Sequence, residues 1–302
     1  MSKTFYSHGK LLLTSEYIVL DGAEALALPT KKGQSLIVKE TDHNCVHWKS
    51  FLEDGSVWLD INFSLPLSDS LSPKGKIESR LLSILRKATE LNPDFLEKSE
   101  GFDVITTLEF PQNWGLGSSS TLISNVARWA NVNPYDLLKA TFGGSGYDIA
   151  CATAQGPIRY HNKSSQAVTK DVSFNPSFRD RLFFVHLNKK QNSRESIKHY
   201  RSLSKIKLQK EVDYFSSLTE HIIQSSDLTE FEHLLQAHES RLSEVLKTPT
   251  IKSQLFPDYP KTIKSLGGWG GDFILATGGT LQKNYFYSRG FQTIISYDDM
   301  IL

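Results

Sequence analysis

A glycine- and serine-rich loop, residues 111–120, constrains the fold more than any other segment of this chain. It reads Pro-Gln-Asn-Trp-Gly-Leu-Gly-Ser-Ser-Ser. The β-leaning residues 102–110 precede it, and Pro111 ends that strand because proline cannot donate to a ladder. The apolar residues that follow recur at helical spacing, namely Leu122, Ile123, Val126, Ala127 and Ala130. The segment therefore predicts a strand, a tight loop and an amphipathic helix over 118–130.

The same loop has the composition of an anion site. Gly115 and Gly117 have no Cβ, so their backbone can approach an anion closely. The helix that begins near Ser118 offers unpaired N–H groups and the positive end of its dipole. The hydroxyls of Ser118, Ser119 and Ser120 can donate to phosphate oxygens or bind Mg²⁺. A glycine turn followed by a serine N-cap is the alternative, and the loop alone leaves both open.

Three other motifs with similar composition are excluded or weakened by single positions. Neither glycine–lysine pair, at 9–10 and at 75–76, precedes the Ser or Thr of a Walker A loop. A dinucleotide-binding fingerprint requires Gly or Ala where Ser120 stands. A hydrolase nucleophile elbow around Ser145 requires Gly where Tyr147 stands.

Elsewhere the pattern predicts an α+β protein. The first half shows an all-β opening followed by a helix, and the second half shows a strand, two long helices and further strands. Predicted strands cover 10–20, 34–40, 57–63, 182–187, 273–276 and 291–296, and predicted helices cover 77–91, 208–222 and 228–245. The polar stretch 161–177 is expected to be a boundary or an exposed excursion.

Charge and composition exclude several classes of function. The 302 residues include 34 Lys+Arg and 33 Asp+Glu, a net charge of +1, which gives no electrostatic reason for binding nucleic acid or a membrane surface. No apolar run approaches the ~18 residues of a spanning helix. Two distant cysteines, Cys45 and Cys151, indicate reduced thiols and a cytoplasmic setting.

Three further features are candidates for a functional role, and each also has a purely structural interpretation. Asp148 precedes a small, apolar run, so a partly buried carboxylate there can accept a hydroxyl proton or simply cap a helix. Lys10, set in an apolar segment, is either a snorkelling edge residue or a functional cation. The cluster at 267–272, Gly-Gly-Trp-Gly-Gly-Asp, either braces a nucleotide or forms a tight strand entry.

Taken together, these segments resemble the GHMP kinase superfamily of small-molecule kinases. Residues 9–22 resemble its first motif, with Ser15 where the family usually has Gly. Residues 115–120 match its ATP phosphate loop, Gly144-Ser-Gly-Tyr-Asp148 resembles the segment with the catalytic Asp, and 267–272 resembles the third motif. The resemblance covers nearly the whole chain.

The resemblance implies a two-domain fold, with an N-terminal domain over 1–160 like ribosomal protein S5 domain 2 and a ferredoxin-like domain over 161–302. It implies that Asp148 takes the proton of the acceptor hydroxyl and that Lys10 supports this site electrostatically. It implies Mg²⁺ contact by Ser119. ATP is then bound by Gly115, Leu116, Gly117, Ser118, Ser119 and Ser120, and substrate by Glu16, Ser145 and Gly146.

Two positions depart from the family pattern. Leu137 stands where mevalonate and homoserine kinases usually have a Mg²⁺-binding Glu. The neighbouring Asp136 would need a shifted register, because one residue rotates a helix position by about 100°. Trp269 stands in the third motif where a small residue is usual.

The expected function is ATP-dependent phosphorylation of a mevalonate-pathway alcohol or phosphate in isoprenoid biosynthesis. Glu16-Tyr17 and the Gly-Ser-Gly-Tyr-Asp segment look more like phosphomevalonate kinases than mevalonate kinases. A phosphorylated substrate would need cations, and the run Lys189, Lys190, Arg194 and Lys198 either supplies them or forms a solvated helix start. The alternatives are a lyase like mevalonate diphosphate decarboxylase and a catalytically degenerate ligand-binding protein. The expected partners are ATP and a small-molecule substrate, and a homodimer remains open.

Overall fold

The computed structural model describes residues 2–68, 71, 74–96, 101–163, 166–190, 193–203 and 208–302, with backbone alone at 163, 193 and 194. The strands are β1 Ser2–Leu12, β2 Ala25–Thr41, β3 Cys45–Phe51, β4 Val57–Ser64, β5 Gly101–Leu108, β6 Ile158–Lys163, β7 Gln166–Asp171, β8 Leu182–His186, β9 Ile263–Ser265, β10 Phe273–Thr277 and β11 Ile294–Ser296. The α-helices are α1 Lys76–Leu91, α2 Ser118–Ala130, α3 Pro134–Thr141, α4 Tyr147–Thr153, α5 Ser193–Ser202, α6 Leu208–Gln224, α7 Leu228–Leu246, α8 Ile251–Leu255, α9 Thr280–Tyr287 and α10 Tyr297–Met300.

The chain divides into two compact units that are discontinuous in sequence. The first unit comprises Met1–Gly9, Lys32–Gln112 and Leu116–Thr153, and the second comprises Lys10–Lys31, Asn113–Gly115 and Ala154–Leu302. The final change of unit, after Thr153, lies close to the expected boundary at residue 160. The division differs from two continuous halves, because two segments from the first half of the sequence belong to the second unit.

The first unit packs helices on one face of a mixed sheet. β2 pairs antiparallel with β5, β5 pairs parallel with β3, and β3 pairs antiparallel with β4. α1, α2 and α3 pack against one another, and their apolar faces share a core with the sheet. Trp48 of β3 and Leu85 of α1 are among its fully buried members. Because β5 leads directly to the glycine- and serine-rich loop and then to α2, this core fixes both ends of that loop.

The second unit contains an antiparallel sheet in the order β11-β8-β10-β9. Along the chain, β8 precedes three long helices, β9 and β10 are consecutive, and α9 precedes β11. A β-α-β-β-α-β chain with its first strand between the fourth and the third has the ferredoxin-like arrangement, so that prediction is confirmed. The sheet's apolar side chains form a core with Phe256 and Phe286.

The first predicted strand differs from the structure. The strand expected over 10–20 begins at Ser2 and ends at Leu12, because Ser15 and Tyr17 have left-handed φ values of 61° and 67° that break an extended chain. A short 3₁₀ helix follows at Ile18–Asp21. The polar stretch 161–177 begins within the antiparallel hairpin of β6 and β7, and β7 is largely exposed, in keeping with the expected exposed excursion.

No helix in the described part of the chain is both long and apolar enough to cross a lipid bilayer.

Candidate functional site

The glycine- and serine-rich loop ends in a helix start that carries no side-chain cap. Gly115 and Gly117 have φ values of 68° and 90°, the left-handed region that glycine adopts without steric cost. Gly117 is the N-cap of α2, and no side chain of the described residues caps it. The first four N–H groups of a helix have no partner within the helix, so they remain available to a ligand. The first turn of α2 also contains no acidic residue.

The three serines of this loop have different environments. Ser118 is half-buried and Ser119 is exposed, whereas Ser120 is buried. The Ser120 hydroxyl donates to the carbonyl oxygen of Gly117 at 2.8 Å, so it holds the first turn of α2 together. Leu116 is 0 % exposed, backbone included, so its predicted contact with ATP stays a prediction. Ser119 is therefore the most exposed of the three serines.

Asp148 lies in the same unit, on a helix that packs against α2. α4 begins at Tyr147, directly after a turn in which Gly143, Gly144 and Gly146 all have left-handed φ. The Asp148 side chain is half-buried, and its Oδ1 accepts a hydrogen bond from the N–H of Ile149 at 3.1 Å. Asp148 thus lies on a helix that packs against the helix into which the serine loop leads. Ser145 is half-buried and Gly146 is buried in the turn before α4.

Tyr135 is a neighbour of Asp148 that the sequence analysis missed. Burial of the phenol, together with the negative charge of Asp148, raises the pKa of Tyr135 to about 12. Tyr135 is the second residue of α3, after an Asn-Pro turn whose Asn133 side chain accepts from the Tyr135 N–H at 2.9 Å. That turn was visible in the sequence, but the approach of α3 to α4 was not.

The structure places no acidic side chain at residue 137, where the family pattern has a Mg²⁺-binding Glu. Leu137 is 0 % exposed and belongs to the core of the first unit, and Asp136 is exposed. The α3 register is therefore set by burial of Leu137 and Leu138, which excludes the shifted register for Asp136. Within the described residues, no group of three His, Cys, Asp or Glu side chains is arranged to hold a metal.

Lys10 lies in the second unit and reaches the beginning of the loop. Its half-buried ammonium donates to the carbonyl oxygen of Gly115 at 2.9 Å. The ammonium therefore stands beside the residue that opens the candidate phosphate loop. The catalytic role that the resemblance gives Lys10 stays a prediction.

Glu16 does not face solvent, which removes the basis for expecting it to bind substrate. It is 1 % exposed and is ion-paired with Lys264, which is 0 % exposed. Lys264 also lies 3.1 Å from the carboxylate of Glu239, and its ammonium donates to the carbonyl oxygen of Ser265 at 2.6 Å. We call Glu16, His238, Glu239 and Lys264 the buried charge cluster.

Burial shifts the pKa values of three members of this cluster. Burial raises the pKa of Glu16 to about 7, although Lys264 opposes that shift. Burial also raises the pKa of Glu239, and burial lowers the pKa of His238 well below its ordinary value. The neutral His238 ring accepts the Ser15 N–H on Nε2 at 2.8 Å. His238 is thus a fully buried packing residue.

The third glycine cluster packs around Trp269 instead of leaving an open turn. The Trp269 indole is buried, and its Nε1–H donates to the carbonyl oxygen of Pro249 at 3.0 Å. Its backbone N–H donates to the Tyr17 hydroxyl at 2.8 Å. Trp269 and Tyr17 also line a cavity of about 290 Å³ in the second unit.

Comparison with known proteins gives matches in structure only. No protein-family model and no curated protein sequence matches the chain. The mevalonate kinase of Methanococcus jannaschii has a TM-score of 0.71 at 16% identity, covering 98% of this chain and 97% of its own. Phosphomevalonate kinase of Streptococcus pneumoniae, solved with phosphomevalonate and AMPPNP, has a TM-score of 0.69 at 13% identity, covering 97% and 99%.

A lyase of the same superfamily is also similar. Mevalonate diphosphate decarboxylase of Staphylococcus aureus has a TM-score of 0.62 at 14% identity, covering 99% of this chain and 96% of its own. At these identities the similarity concerns the fold, and the coverage extends over nearly the whole of each chain. The chain has the fold of the GHMP kinase superfamily.

Proposed function

We propose that this protein is an ATP-dependent small-molecule kinase that transfers the γ-phosphoryl group to a mevalonate-pathway alcohol or phosphate. The observation that carries the proposal is the uncapped start of α2, after two left-handed glycines, with the Asp148 helix packed against it. The kinases among the structural relatives support the same reaction class.

Phosphate binding follows from the start of α2. The N–H groups of the first turn have neither a helical partner nor a side-chain cap, and the helix dipole places partial positive charge there. An acidic side chain in that turn would repel an anion, and α2 has none. We propose that the backbone of residues 115–120 binds the ATP phosphates and that the exposed Ser119 hydroxyl adds a donor.

Asp148 is the proposed general base. Its carboxylate would accept the proton of the acceptor hydroxyl as the oxygen–phosphorus bond forms and the bond from the γ-phosphorus to ADP breaks. Tyr135 would remain protonated beside it, since its pKa of about 12 lies far above neutral pH. The phenol is thus a neutral neighbour that adds no competing negative charge.

Magnesium would be held mainly by the nucleotide. Mg²⁺ commonly uses one or two protein carboxylates together with substrate phosphates, and it neutralises phosphate charge. The donors of the first unit that fit this pattern are the Ser119 hydroxyl and the Asp148 carboxylate. A cage of several carboxylates does not fit, because Leu137 is buried where the family pattern has an acid.

The proposed acceptor is phosphomevalonate or mevalonate. The Gly-Ser-Gly-Tyr-Asp segment supports phosphomevalonate, as does the similarity to the S. pneumoniae kinase solved with that compound. Lys189, Lys190 and Lys198, the proposed cations for a phosphorylated acceptor, are exposed. The side chain of Arg194 lies outside the described residues.

A panel assay tests the proposal. Purified protein with ATP and Mg²⁺ is given mevalonate, phosphomevalonate, diphosphomevalonate, homoserine or simple sugars, and products are identified by mass. We expect stoichiometric ADP and a phosphorylated mevalonate or phosphomevalonate. Release of CO₂ from the diphosphate would establish the lyase instead. Tight ligand binding with no ADP formed from any acceptor would favour a catalytically degenerate ligand-binding protein. Leu137 is the specific reason to test this alternative, because it stands where the family pattern has a Mg²⁺-binding Glu.

Two coarser proposals accompany this function. Neither Cys45 nor Cys151 forms a disulfide, which supports a reducing, cytoplasmic setting. We also propose that ATP and the acceptor are the principal partners. Light scattering of the purified chain would decide between a monomer and a homodimer.

A further inference from the structure

Asp272 is a buried acid held in an unusual backbone conformation at the end of the third glycine cluster. It is 7 % exposed and has a left-handed φ of 53°. Its N–H donates to the carbonyl oxygen of Lys189, and its carbonyl oxygen accepts from the N–H of Leu187, both at 2.8 Å. Its main chain is therefore anchored on both sides to the segment that follows β8.

The Asp272 carboxylate occupies the space that a side chain at Gly115 would need. A Cβ on Gly115 would stand 2.3 Å from Cγ, 2.4 Å from Oδ2 and 2.7 Å from Oδ1 of Asp272. These separations are far inside van der Waals contact, and Gly115 also has a left-handed φ of 68°. A side chain at residue 115 would therefore force the Asp272 carboxylate to move, and the left-handed φ would strain any residue other than glycine there.

The two residues before Gly115, Asn113 and Trp114, contact His186 and Phe273. The Asn113 carbonyl oxygen lies 3.2 Å from Nε2 of His186, and the Trp114 ring packs edge-on against Phe273 at 5.4 Å between centroids. Lys10 binds the Gly115 carbonyl from a different side. Gly115 thus has an ammonium at its carbonyl oxygen and a carboxylate at its α-carbon.

We propose that Asp272 is a positioning residue that fixes Gly115, the first residue of the candidate phosphate loop. Gly115 lies two residues before Gly117, the N-cap of α2, so a displaced Gly115 displaces the backbone that enters the helix. Asp272 acts through this contact and not on the reacting atoms. The consequence for ATP rests on the proposed function, whereas the contact between the two residues does not.

The test is a double-mutant cycle between residues 115 and 272. Binding of AMPPNP with Mg²⁺ is measured by calorimetry for wild type, Gly115→Ala, Asp272→Gly and the double variant, and the KM for ATP and kcat are measured wherever turnover is found. We expect Gly115→Ala to weaken AMPPNP binding at least tenfold. We expect the double variant to recover part of that loss, because removal of the carboxylate opens space for the new methyl group.

Conservative and control variants separate positioning from general damage. Asparagine tolerates left-handed φ and has the shape of aspartate, so Asp272→Asn should bind AMPPNP within about threefold of wild type. Asp272→Ala should raise the KM for ATP about tenfold and change kcat less. Asp171→Ala, an exposed acid on β7, should change neither.

The outcomes distinguish this proposal from the proposed function. Losses in AMPPNP affinity that simply multiply in the double variant would overturn the positioning role. If wild type binds no nucleotide, the proposed function fails, and the same cycle is then read in the midpoint of urea unfolding. Non-additive midpoints would establish the contact without a nucleotide, and additive midpoints would overturn it.

Discussion

Solvent exposure differs sharply between two sets of polar residues. One set forms the candidate site of the first unit, and the other is the buried charge cluster of the second unit. At the candidate site, Ser119 is exposed and Asp148 is half-buried. In the cluster, Lys264, Glu16 and Glu239 are all nearly inaccessible, and each carboxylate is within ion-pair distance of the ammonium. Both sets include residues from motifs that resemble those of small-molecule kinases.

The contrast separates two uses of charge. A buried ion stays charged only beside a partner, so removal of that partner acts on folding. A polar group that faces solvent has little effect on folding and can exchange water for a ligand. The burial of a motif residue must therefore be known before a role in binding or catalysis is assigned to it. Glu16 shows why, because it lies in the first motif but is buried in an ion pair.

The largest expected effect is on turnover at the candidate site. Asp148→Asn keeps the shape of the side chain but removes the proton acceptor, so kcat should fall by about 10²–10⁴-fold. Nucleotide affinity and the free energy of unfolding should change little. Steady-state kinetics and urea unfolding measure these, with the exposed Asp94→Asn as the control that keeps full activity. A fully active Asp148→Asn protein would remove Asp148 from the mechanism.

In the buried charge cluster the effect should be on stability. Lys264→Met leaves two desolvated carboxylates without their cation, which typically costs about 3–5 kcal/mol of unfolding free energy. The exposed Lys170→Met should cost little, since surface charges contribute little to stability. Equal urea midpoints for these two variants would contradict the assigned role of Lys264.

The cluster also predicts a pH dependence with a definite sign. The pKa of Glu16 rises from an ordinary 4.5 to about 7 on folding, so the folded protein binds the extra proton between these values. The stabilisation that arises from proton binding by folded Glu16 is fully present below pH 4.5, and it is lost as the pH rises through 7.

Glu16→Gln should therefore abolish that part of the pH dependence. The stability difference, wild type minus variant, should fall between pH 4.5 and pH 8 in urea unfolding. Because both proteins retain His238, its opposite contribution largely cancels from the difference. Glu53→Gln, an exposed acid, should leave the profile unchanged. A constant difference across this range would contradict the raised pKa of Glu16.

The smallest effects compare two adjacent serines. Ser119→Ala removes an exposed donor and should weaken nucleotide binding about tenfold, the value of one hydrogen bond to a charged group. Ser120→Ala removes the bond to Gly117 and should cost about 1 kcal/mol of unfolding free energy with little change in affinity. Calorimetric titration and urea unfolding separate the two. The reverse assignment would contradict the geometry of the first turn.

Local features were predictable from the sequence where local pattern governs structure. α2 has the bounds 118–130 that its apolar spacing and serine start predict. α1 begins one residue before the expected position and ends at the expected one. α7 begins at the expected residue 228 and ends at Leu246, one residue after the expected end. In each case neighbours in sequence carry the signal.

Features that depend on distant residues were not predictable. Lys264 pairs with a carboxylate 248 positions away, and nothing around it in sequence marks it as buried. The break in the expected strand at 10–20 arises from left-handed φ at Ser15 and Tyr17, which few non-glycine residues adopt. His238 stabilises that turn from α7. Tyr135 beside Asp148 depends likewise on how two helices approach each other.

A crystal structure with AMPPNP and Mg²⁺ tests the central claim most directly. Our account predicts phosphate oxygens within hydrogen-bond distance of the backbone N–H groups at the start of α2, with the Asp148 carboxylate directed toward the terminal phosphate. A nucleotide bound elsewhere, or an Asp148 side chain directed away from the phosphates, would contradict it.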